Sequence, residues 1–481
     1  MKQNTRFIGR KQEVSSLRGE LDRRRPSLIT VYGRRRVGKS ALLAEATHDR
    51  DTIFYQATQV LGSMNLNLLK EEVQRGLDES EPVLQGIEHW EALLTYIVEL
   101  ASARPGLTLV LDEFPYICET VDALPSIVQK VFDHANRRGV EFNLILCGSQ
   151  ISFMEELLGE RNPLRGRQTH ELELAPLTYR EAAQFFPQWT PEERLVAYGV
   201  FGGMPYYLQL CDPGHALREN IEAVILQPGA PLHNEASNVL RAELSSPTRY
   251  ASILEAIARG CTTTGEVLGR VRDISGGGAL APYIAKLEAL RLIHITRSLD
   301  ASPKARNRRY YINDPFLAFW YRFVLPNGSA LATGHASEVY QHAIQPHLDG
   351  YMGEIFEWIT HQFIAHYASE IFAAPAKEVG KIWGADFDLD VVATLLDDAV
   401  VFGECKWWSS PVGANVMGEL EEDCRKTDFG NNAAVIHQLL ASKSGFTDEV
   451  EMRAQQSERL HLISTDELLG ERQGRAMECQ S

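Results

Sequence analysis

The chain of 481 residues has little cysteine and no long apolar run. Its seven cysteines are widely spread and form no C-x-x-C pair, which argues against a disulfide framework or a zinc site. No stretch of about 18 apolar residues occurs, so no membrane-spanning helix is expected. The N-terminus lacks the apolar segment of a secretory signal. We therefore expect a cytoplasmic protein that does not contact a membrane.

Hydrophobic residues make up 44% of the chain and charged residues 23%, a globular composition that excludes a mainly disordered protein. The net charge is −16, so the whole molecule is not a polycation that coats nucleic acid. The segment 245–325 departs from this balance, because it holds 12 Lys and Arg against 6 Asp and Glu. A basic segment in an acidic chain is a candidate DNA-facing surface.

Short apolar runs alternate with helical patterns between about residues 27 and 174. The runs are SLITVYG, TIFYQAT, LTLVLDE and FNLILCGS. Near-continuous apolarity is typical of strands buried on both faces, and its alternation with helices predicts a parallel sheet. The pattern then becomes mainly helical. A polar segment at 323–337 is predicted to be a linker before a last α/β part.

The segment from Gly33 to Ser40 fits the pattern G-x-x-x-x-G-K-[ST] between a predicted strand and a predicted helix. It consists of Gly33, Arg34, Arg35, Arg36, Val37, Gly38, Lys39 and Ser40. In such a loop the glycines let backbone N–H groups turn toward the phosphates of a nucleotide. Lys39 adds a point charge, and the Ser40 hydroxyl can bind Mg²⁺. The pattern predicts a bound nucleoside triphosphate with Mg²⁺ as its cofactor.

Polar side chains end two of the later strands. Asp112 and Glu113 close LTLVLDE, where Asp112 would hold Mg²⁺ through water and Glu113 would polarise the attacking water. Ser149 ends FNLILCGS, a strand expected between the other two, so its side chain would reach the γ-phosphate. A simple strand-ending turn is the alternative for Ser149. The candidates for an arginine finger on a neighbouring subunit of a homo-oligomer are Arg161, Arg165 and Arg167.

Six segments in order, over roughly residues 5–240, resemble the archaeal-type ATPase family, which is related to the AAA+ and STAND P-loop ATPases. They are RFIGRKQEV, VYGRRRVGKS, LVLDEFPY, GSQISFMEELL, LELAPLTYREA and FGGMPYYL. The resemblance implies an ATPase core with a small helical lid. Within the lid, Gly203 and Pro205 would form a G-x-P element. The segment Arg6–Arg10 would lie over the adenine.

The basic segment 245–325 resembles the winged-helix domain that follows the ATPase in this family. Two short helices would precede a recognition helix that opens at Gly276–Gly278, and LIHITRSL and RRYYIND would be the wing strands. Protein–protein or intramolecular contact is the alternative to DNA binding for such a domain. The basic residues of the wing that could meet phosphates are Lys304, Arg306, Arg308 and Arg309.

The last part of the chain combines carboxylates with a lysine. Glu404 and Lys406 stand two residues apart in VVFGECKWW, on one face of a predicted strand. A turn at Asp397–Asp398 would pair this strand with FDLDVVA and bring Asp390 beside them. Asp390 and Glu404 could gather Mg²⁺, and Lys406 could orient the attacking water. Glu357, on the preceding amphipathic helix, could supply a further carboxylate.

The order of GEIFEW, LDVVA and GECKW resembles the PD-(D/E)XK nuclease superfamily, in particular the archaeal Holliday junction resolvases. That resemblance implies a restriction-endonuclease-like α/β domain. Asp388 stands where relatives often have Glu, which leaves Asp390 as the better ligand. For Trp407 and Trp408, core packing of one and partial exposure of the other is favoured over base stacking.

These interpretations predict an α/β protein that couples a P-loop ATPase through a winged helix to a metal-dependent nuclease-like domain acting on DNA. A STAND-type regulatory switch, whose C-terminal domain binds DNA or protein without cleavage, is the alternative. A third interpretation is an ATPase that acts on a protein partner. The predicted domains are an ATPase core at 1–175, a helical lid at 176–240, a winged helix at 245–325 and a nuclease-like domain at 340–470.

Overall fold

A computed structural model describes the chain over residues 7–77, 81–160, 162–244, 246–302 and 307–471. By its internal contacts the chain divides into two compact units. The first comprises the described residues up to Leu177 together with Met204–Tyr206, and the second comprises Thr178–Gly203 and the residues from Tyr207 onward. The division into four domains that the sequence suggests stays a prediction.

The first unit contains a five-stranded parallel sheet. Its strands are β1 (Ser27–Tyr32), β2 (Thr52–Gln56), β3 (Leu107–Asp112), β4 (Phe142–Gly148) and β5 (His170–Glu173). Their order across the sheet is β2-β3-β4-β1-β5, so β4 lies between β1 and β3 as predicted. The helices of this unit are α1 (Lys11–Leu21), α2 (Lys39–Thr47), α3 (Gly62–Leu77), α4 (Glu81–Gln85), α5 (Trp90–Ala103), α6 (Phe114–Cys118), α7 (Leu124–Arg138) and α8 (Ile151–Leu158).

The central strands of this sheet are buried along their whole length. Every residue of β1, β3 and β4 is buried, which is what their near-continuous apolar runs predict. Leu109 and Leu146 pack with side chains of α3, α5 and α7 in one apolar core. The edge strand β5 alternates half-buried and exposed residues, and its sequence HELE contains no apolar run that would have predicted it.

The second unit opens with short helices and continues with a helix-rich middle. The helices from the lid region to the middle, of which α11 begins in the first unit, are α9 (Tyr179–Ala183), α10 (Pro191–Phe201), α11 (Pro205–Gln209), α12 (Leu217–Ile221), α13 (Glu235–Glu243), α14 (Pro247–Ala258), α15 (Thr264–Arg270) and α16 (Gly277–Ala289). A π-helical turn at Glu222–Leu226 follows α12. The antiparallel hairpin of β6 (Ile293–Arg297) and β7 (Arg308–Ile312) follows α16. Three helices and a hairpin form the order predicted for a winged helix, and that assignment stays a prediction.

The segment predicted to be a linker is helical, so this expectation was wrong. Pro, Gly and Ser there suggest a loop, but Leu331 is fully buried and Val324 is buried too. Burial of these apolar side chains overrides the weak helix propensity of their neighbours. The elements are α17 (Pro315–Phe319), π-helical turns at Trp320–Val324 and Tyr340–Ile344, a 3₁₀ turn at Leu325–Asn327, α18 (Gly328–Ala332), α19 (Ala336–Val339) and α20 (Gln345–Phe372).

A mixed five-stranded sheet forms the C-terminal part of the second unit. Its strands are β8 (Ala376–Trp383), β9 (Asp388–Leu395), β10 (Val400–Lys406), β11 (Ile436–Ser442) and β12 (Leu460–Ser464), in the order β12-β11-β10-β9-β8. The pairs β8–β9 and β9–β10 are antiparallel, and β10–β11 and β11–β12 are parallel. The remaining helices are α21 (Ala414–Cys424), α22 (Asp448–Gln455) and α23 (Thr465–Leu469).

The β9–β10 hairpin has the turn that the sequence predicts. Asp398 adopts a left-handed conformation with φ of 63°, which Asp tolerates better than most residues. Helix α20 contacts β8, β9 and β10, while Val416 and Leu420 of α21 pack with Val392 in a separate apolar core. In the part of the chain that the structure describes, no helix combines the length and apolarity needed to cross a bilayer.

Candidate functional site

The loop between β1 and α2 has the backbone of a phosphate-binding loop. Gly33 and Gly38 have φ values of 155° and 95°, and a Cβ on Gly33 would lie 2.4 Å from the carbonyl oxygen of Leu174. A side chain at Gly33 would therefore force the strand end to move. Arg36 is left-handed with φ of 69°, and its guanidinium lies 4.7 Å from the ring centre of Tyr206.

Lys39 is a buried lysine whose hydrogen bonds go to the loop itself. Its side chain is 6% exposed, and Nζ donates to the carbonyl oxygens of Gly33 at 2.9 Å and Arg34 at 3.2 Å. These acceptors carry no net charge, so they leave the charge of the buried ammonium unmatched. Phosphate oxygens could replace them as acceptors and would match that charge. Val37 is fully buried, and Arg35 donates to the Tyr116 hydroxyl at 2.5 Å.

Ser40 and Asp112 meet at the end of β3. The Ser40 hydroxyl donates to Oδ2 of Asp112 at 2.6 Å, and Oδ1 of Asp112 accepts the backbone N–H of Glu113 at 3.0 Å. Asp112 is 1% exposed. A hydroxyl and a carboxylate beside a phosphate-binding loop are oxygen donors of the kind that Mg²⁺ prefers. The residues present therefore fit the predicted Mg²⁺–ATP.

Glu113 and Ser149 are joined by two hydrogen bonds. Both the backbone N–H and the hydroxyl of Ser149 donate to Oε2 of Glu113, at 3.1 Å and 2.8 Å. Glu113 itself is left-handed, with φ of 52°. Strained backbone of this kind is concentrated at functional sites. The two polar residues predicted at neighbouring strand ends are thus brought together.

Arg10 stabilises the phosphate-binding loop through hydrogen bonds. Its buried guanidinium donates to the carbonyl oxygens of Val37 at 3.2 Å and Ala175 at 2.6 Å. The predicted adenine contact of this segment stays a prediction, and Arg6 lies outside the described residues. Of the predicted G-x-P element, Pro205 lies beside Gly38, where an added Cβ would be 3.5 Å from the Pro205 ring.

The candidate arginine fingers differ in their surroundings. Arg167 makes two hydrogen bonds to the carboxylate of Asp133, at 2.8 Å and 3.0 Å, so its guanidinium is engaged within its own chain. Arg165 lies 3.1 Å from Glu160, and 52% of its side chain is exposed. Arg161 lies outside the described residues. Arg165 is therefore the better candidate of the two that are described.

The second cluster lies where β9 and β10 pair. Val391 stands opposite Gly403, which brings Asp390 beside Glu404 as predicted. The backbone N–H of Cys405 donates to Oδ2 of Asp390 at 3.1 Å. Lys406 Nζ donates to Oε1 of Glu404 at 2.5 Å, so these two side chains share one face of the strand.

Glu357 joins this cluster through a lysine that the sequence analysis missed. Lys381 Nζ lies 2.5 Å from Oε2 of Glu357 and 3.6 Å from Oδ1 of Asp390. Its side chain comes from β8, where the register shifts between Gly380 and Ile382. No spacing rule connects Lys381 with the D…E-x-K pattern, because it stands on the strand before that pattern.

Burial and mutual repulsion set the charges of the cluster. Burial raises the pKa of Glu357 and of Glu404, and the nearby Asp390 carboxylate raises both further. Burial acts to lower the pKa of Lys381, but Glu357 and Asp390 outweigh it, so that pKa is raised. Burial also lowers the pKa of His361 to about 4, so a neutral His361 donates to the carbonyl oxygen of Asp390 at 2.7 Å.

As arranged, this cluster does not fit the Mg²⁺ predicted at Asp390 and Glu404. Among the described side chains, no three His, Cys, Asp or Glu groups lie close enough together to hold one metal ion. The carboxylates are instead paired with ammonium groups, Glu357 with Lys381 and Glu404 with Lys406.

Arg309 of the β6–β7 hairpin contacts two residues of the C-terminal sheet. It donates to Oδ2 of Asp388 at 2.6 Å, and its guanidinium lies 4.3 Å from the ring centre of Trp383. The expectation that Arg309 meets phosphate is therefore wrong, because an acidic partner in the same chain holds it. Lys304 and Arg306 lie outside the described residues. Of the two tryptophans, Trp407 is buried, with 5% of its surface exposed, and Trp408 is 44% exposed. This is the expected combination of core packing and partial exposure.

Comparison with known proteins assigns the chain to a protein family. An uncharacterized protein of Methanocaldococcus jannaschii is 30% identical over 408 residues, which cover 83% of this chain and 87% of that protein. The chain belongs to the family of this archaeal protein. Residues 7–211 match the model of an ATPase domain found predominantly in Archaea, which confirms the predicted archaeal-type ATPase domain. Residues 320–417 match a family of archaeal and bacterial proteins of unknown function.

Solved structures with some likeness to this archaeal-type ATPase include two archaeal proteins. The Walker-type ATPase of Pyrococcus abyssi aligns with a TM-score of 0.49 and 18% identity, over 66% of this chain and 96% of that chain. The ORC2 protein of Aeropyrum pernix, in its ADPNP–ADP complexes, aligns with a TM-score of 0.42 and 16% identity, over 68% of this chain and 96% of that chain.

Lys39→Ala should abolish nucleotide binding, and Glu113→Gln should bind nucleotide but turn it over about 100-fold more slowly, since a water-polarising carboxylate contributes at least that much. Binding of a fluorescent ATP analogue and steady-state phosphate release would measure the two effects. Exposed Lys130 and Glu119 provide the matched controls Lys130→Ala and Glu119→Gln. Unchanged hydrolysis in Glu113→Gln would remove Glu113 from this role.

Proposed function

We propose that this archaeal-type ATPase hydrolyses Mg²⁺–ATP and acts on DNA, through a winged helix and a C-terminal domain of nuclease type. The observation that carries the ATPase part is the convergence of Lys39, Ser40, Asp112, Glu113 and Ser149 around one loop. The convergence of carboxylates and a lysine on the β9–β10 hairpin supports the nuclease part.

At the ATP site, each side chain has a role that follows from its contacts. The backbone N–H groups of the loop and the Lys39 ammonium would bind the β- and γ-phosphates. Ser40 and Asp112 would hold Mg²⁺, which when bound neutralises charge on the phosphates. Ser149 would exchange its hydrogen bonds with Glu113 for the γ-phosphate, leaving Glu113 free to orient the attacking water.

The β6–β7 hairpin supports a contact with DNA. Arg297 and Arg308 stand directly opposite each other across the two strands, and both side chains are exposed. Like charges directly opposite destabilise a hairpin unless an anion lies between them. Two phosphates of a DNA backbone would supply that anion and release counterions from the DNA.

In the C-terminal domain, Lys406 stands next to the carboxylates of Asp390 and Glu404, which is the side-chain set of a phosphodiester-cleaving site. A mixed sheet with a hairpin carrying these residues, covered by a helix that supplies Glu357, supports the restriction-endonuclease-like assignment. The lysines that pair with Glu357 and Glu404 favour a second candidate function. In it, the protein is a STAND-type switch whose C-terminal domain binds DNA without cutting it.

The double variant Arg297→Ala/Arg308→Ala should bind duplex DNA more weakly than wild type. If each arginine neutralises one phosphate, the slope of log K against log salt concentration should fall in magnitude by about 2. Fluorescence anisotropy with labelled DNA over a salt series measures this slope. Arg75→Ala, which removes an exposed arginine of the first unit, should leave the slope unchanged, and an unchanged slope in the double variant would remove the hairpin from the DNA contact.

Incubation with DNA and Mg²⁺ or Mn²⁺ should give cleavage by wild type, and Lys406→Ala should lose about 100-fold or more of it, because a charge-stabilising group at such a site contributes that much. Single-stranded, duplex and four-way-junction DNA, with and without ATP, would be resolved on denaturing gels. Lys377→Ala, on the exposed part of β8, is the matched control. No cleavage of any DNA would favour the switch, and cleavage that survives in Lys406→Ala would point to a contaminant.

A further inference from the structure

We propose that Lys381 is a built-in cation that fills the place of a divalent metal between Glu357 and Asp390 and keeps metal out of the C-terminal cluster until the lysine is displaced. The inference deepens the proposed function, because it concerns the same cluster and assigns it a closed state.

The position of the Lys381 ammonium is that of a bridging ion. Nζ lies 2.5 Å from an oxygen of Glu357 and 3.6 Å from an oxygen of Asp390. The residue is 8% exposed, so its charge is removed from water and depends on these carboxylates. A divalent ion bound to the same two carboxylates would lie close to the Lys381 ammonium. The repulsion between the two positive charges is strong in a partly buried site.

The strand that carries Lys381 is shaped to aim it into the cluster. Gly380 pairs with Val392 and Ile382 pairs with Leu389, so Lys381 lies at an irregularity where the two strands do not match residue for residue. Such bulges change the direction of a side chain at functional sites. Without the irregularity, Lys381 would pair with Val391, whose side chain points to the opposite face of the sheet from that of Asp390.

A cavity beside the lysine gives it a place to go. A space of about 360 Å³ borders the ion pair and is lined by Lys381, Glu357, His361, His294, Tyr311 and Trp358. Its lining also includes the exposed residues Glu354 and His366, so an ammonium that rotates out of the cluster reaches water. The cluster can therefore lose its lysine by a side-chain rotation, without opening the sheet.

The test measures metal binding in the full-length protein without nucleotide or DNA. Mn²⁺ would be titrated into wild type, Lys381→Met, Lys381→Met/Asp390→Asn and the matched control Lys377→Met, with bound Mn²⁺ counted by electron paramagnetic resonance. Methionine keeps much of the side-chain volume and removes the charge. We expect Lys381→Met to gain a site that depends on Asp390 and binds Mn²⁺ about 100-fold or more tightly than wild type and Lys377→Met do.

Removing one partner of a buried ion pair can also unfold a protein. Thermal unfolding therefore accompanies each titration, and Mn²⁺ should raise the midpoint of Lys381→Met but not that of wild type. If Lys381→Met does not fold, Lys381→Gln keeps a hydrogen-bond donor for Glu357 without the charge and should bind Mn²⁺ between Glu357 and Asp390.

Two results would overturn the inference. One is Asp390-dependent Mn²⁺ binding by wild type as tight as that of Lys381→Met. The other is a folded variant without Lys381 that gains no Mn²⁺ site. A Lys381→Met protein that binds Mn²⁺ but cleaves no DNA would leave the inference standing and count only against the nuclease function.

Discussion

Burying a lysine is costly unless its charge is matched, and the partners of two buried lysines distinguish the two candidate sites of the protein. Lys39 and Lys381 are each less than a tenth exposed, but their partners differ in kind. Lys39 donates to neutral carbonyl oxygens, which match its hydrogen-bonding groups but not its charge. Lys381 is paired with carboxylates that match its charge fully. The first site is therefore ready for an anion such as a nucleotide phosphate, whereas the second is closed to a cation.

The β6–β7 hairpin contacts the strands that carry the C-terminal cluster. Arg309 of the hairpin holds Asp388, two residues before Asp390. Just beyond β6, the backbone N–H of Leu299 donates to the carbonyl oxygen of Lys381 at 3.0 Å. The exposed pair Arg297 and Arg308 lies on the same hairpin. The exposed arginine pair therefore lies on the hairpin that is hydrogen-bonded to the strands of Lys381 and Asp390.

Local patterns made most of the ATP site predictable. The phosphate-binding loop is eight consecutive residues. Asp112, Glu113 and Ser149 follow continuous apolar runs, which predict buried parallel strands whose carboxyl ends meet at one edge of the sheet. The C-terminal hairpin was predictable for the same reason, because a short turn fixes how Asp390 pairs with Glu404.

The features that the sequence did not reveal depend on contacts between distant residues. Lys381 belongs to the cluster only because β8 pairs with β9 out of regular register, and β5 is a strand only because β1 offers it an edge. The segment at 323–337 has the residues of a loop, yet burial of Val324 and Leu331 makes it helical. Arg309 resembled a phosphate-binding residue until its acidic partner, 79 positions away, was located. In each case tertiary contact outweighs local propensity.

Carboxylates of both candidate sites are held by partners from the same chain. Glu113 accepts two hydrogen bonds from Ser149, Glu404 is bonded to Lys406, and Glu357 is bonded to Lys381. The strength of these restraints differs, because a serine hydroxyl is neutral whereas an ammonium is charged. A γ-phosphate could therefore displace Ser149 from Glu113 by accepting the hydrogen bonds that Ser149 donates. Freeing Glu357 requires that a buried charge be moved, so Glu357 is restrained more strongly than Glu113.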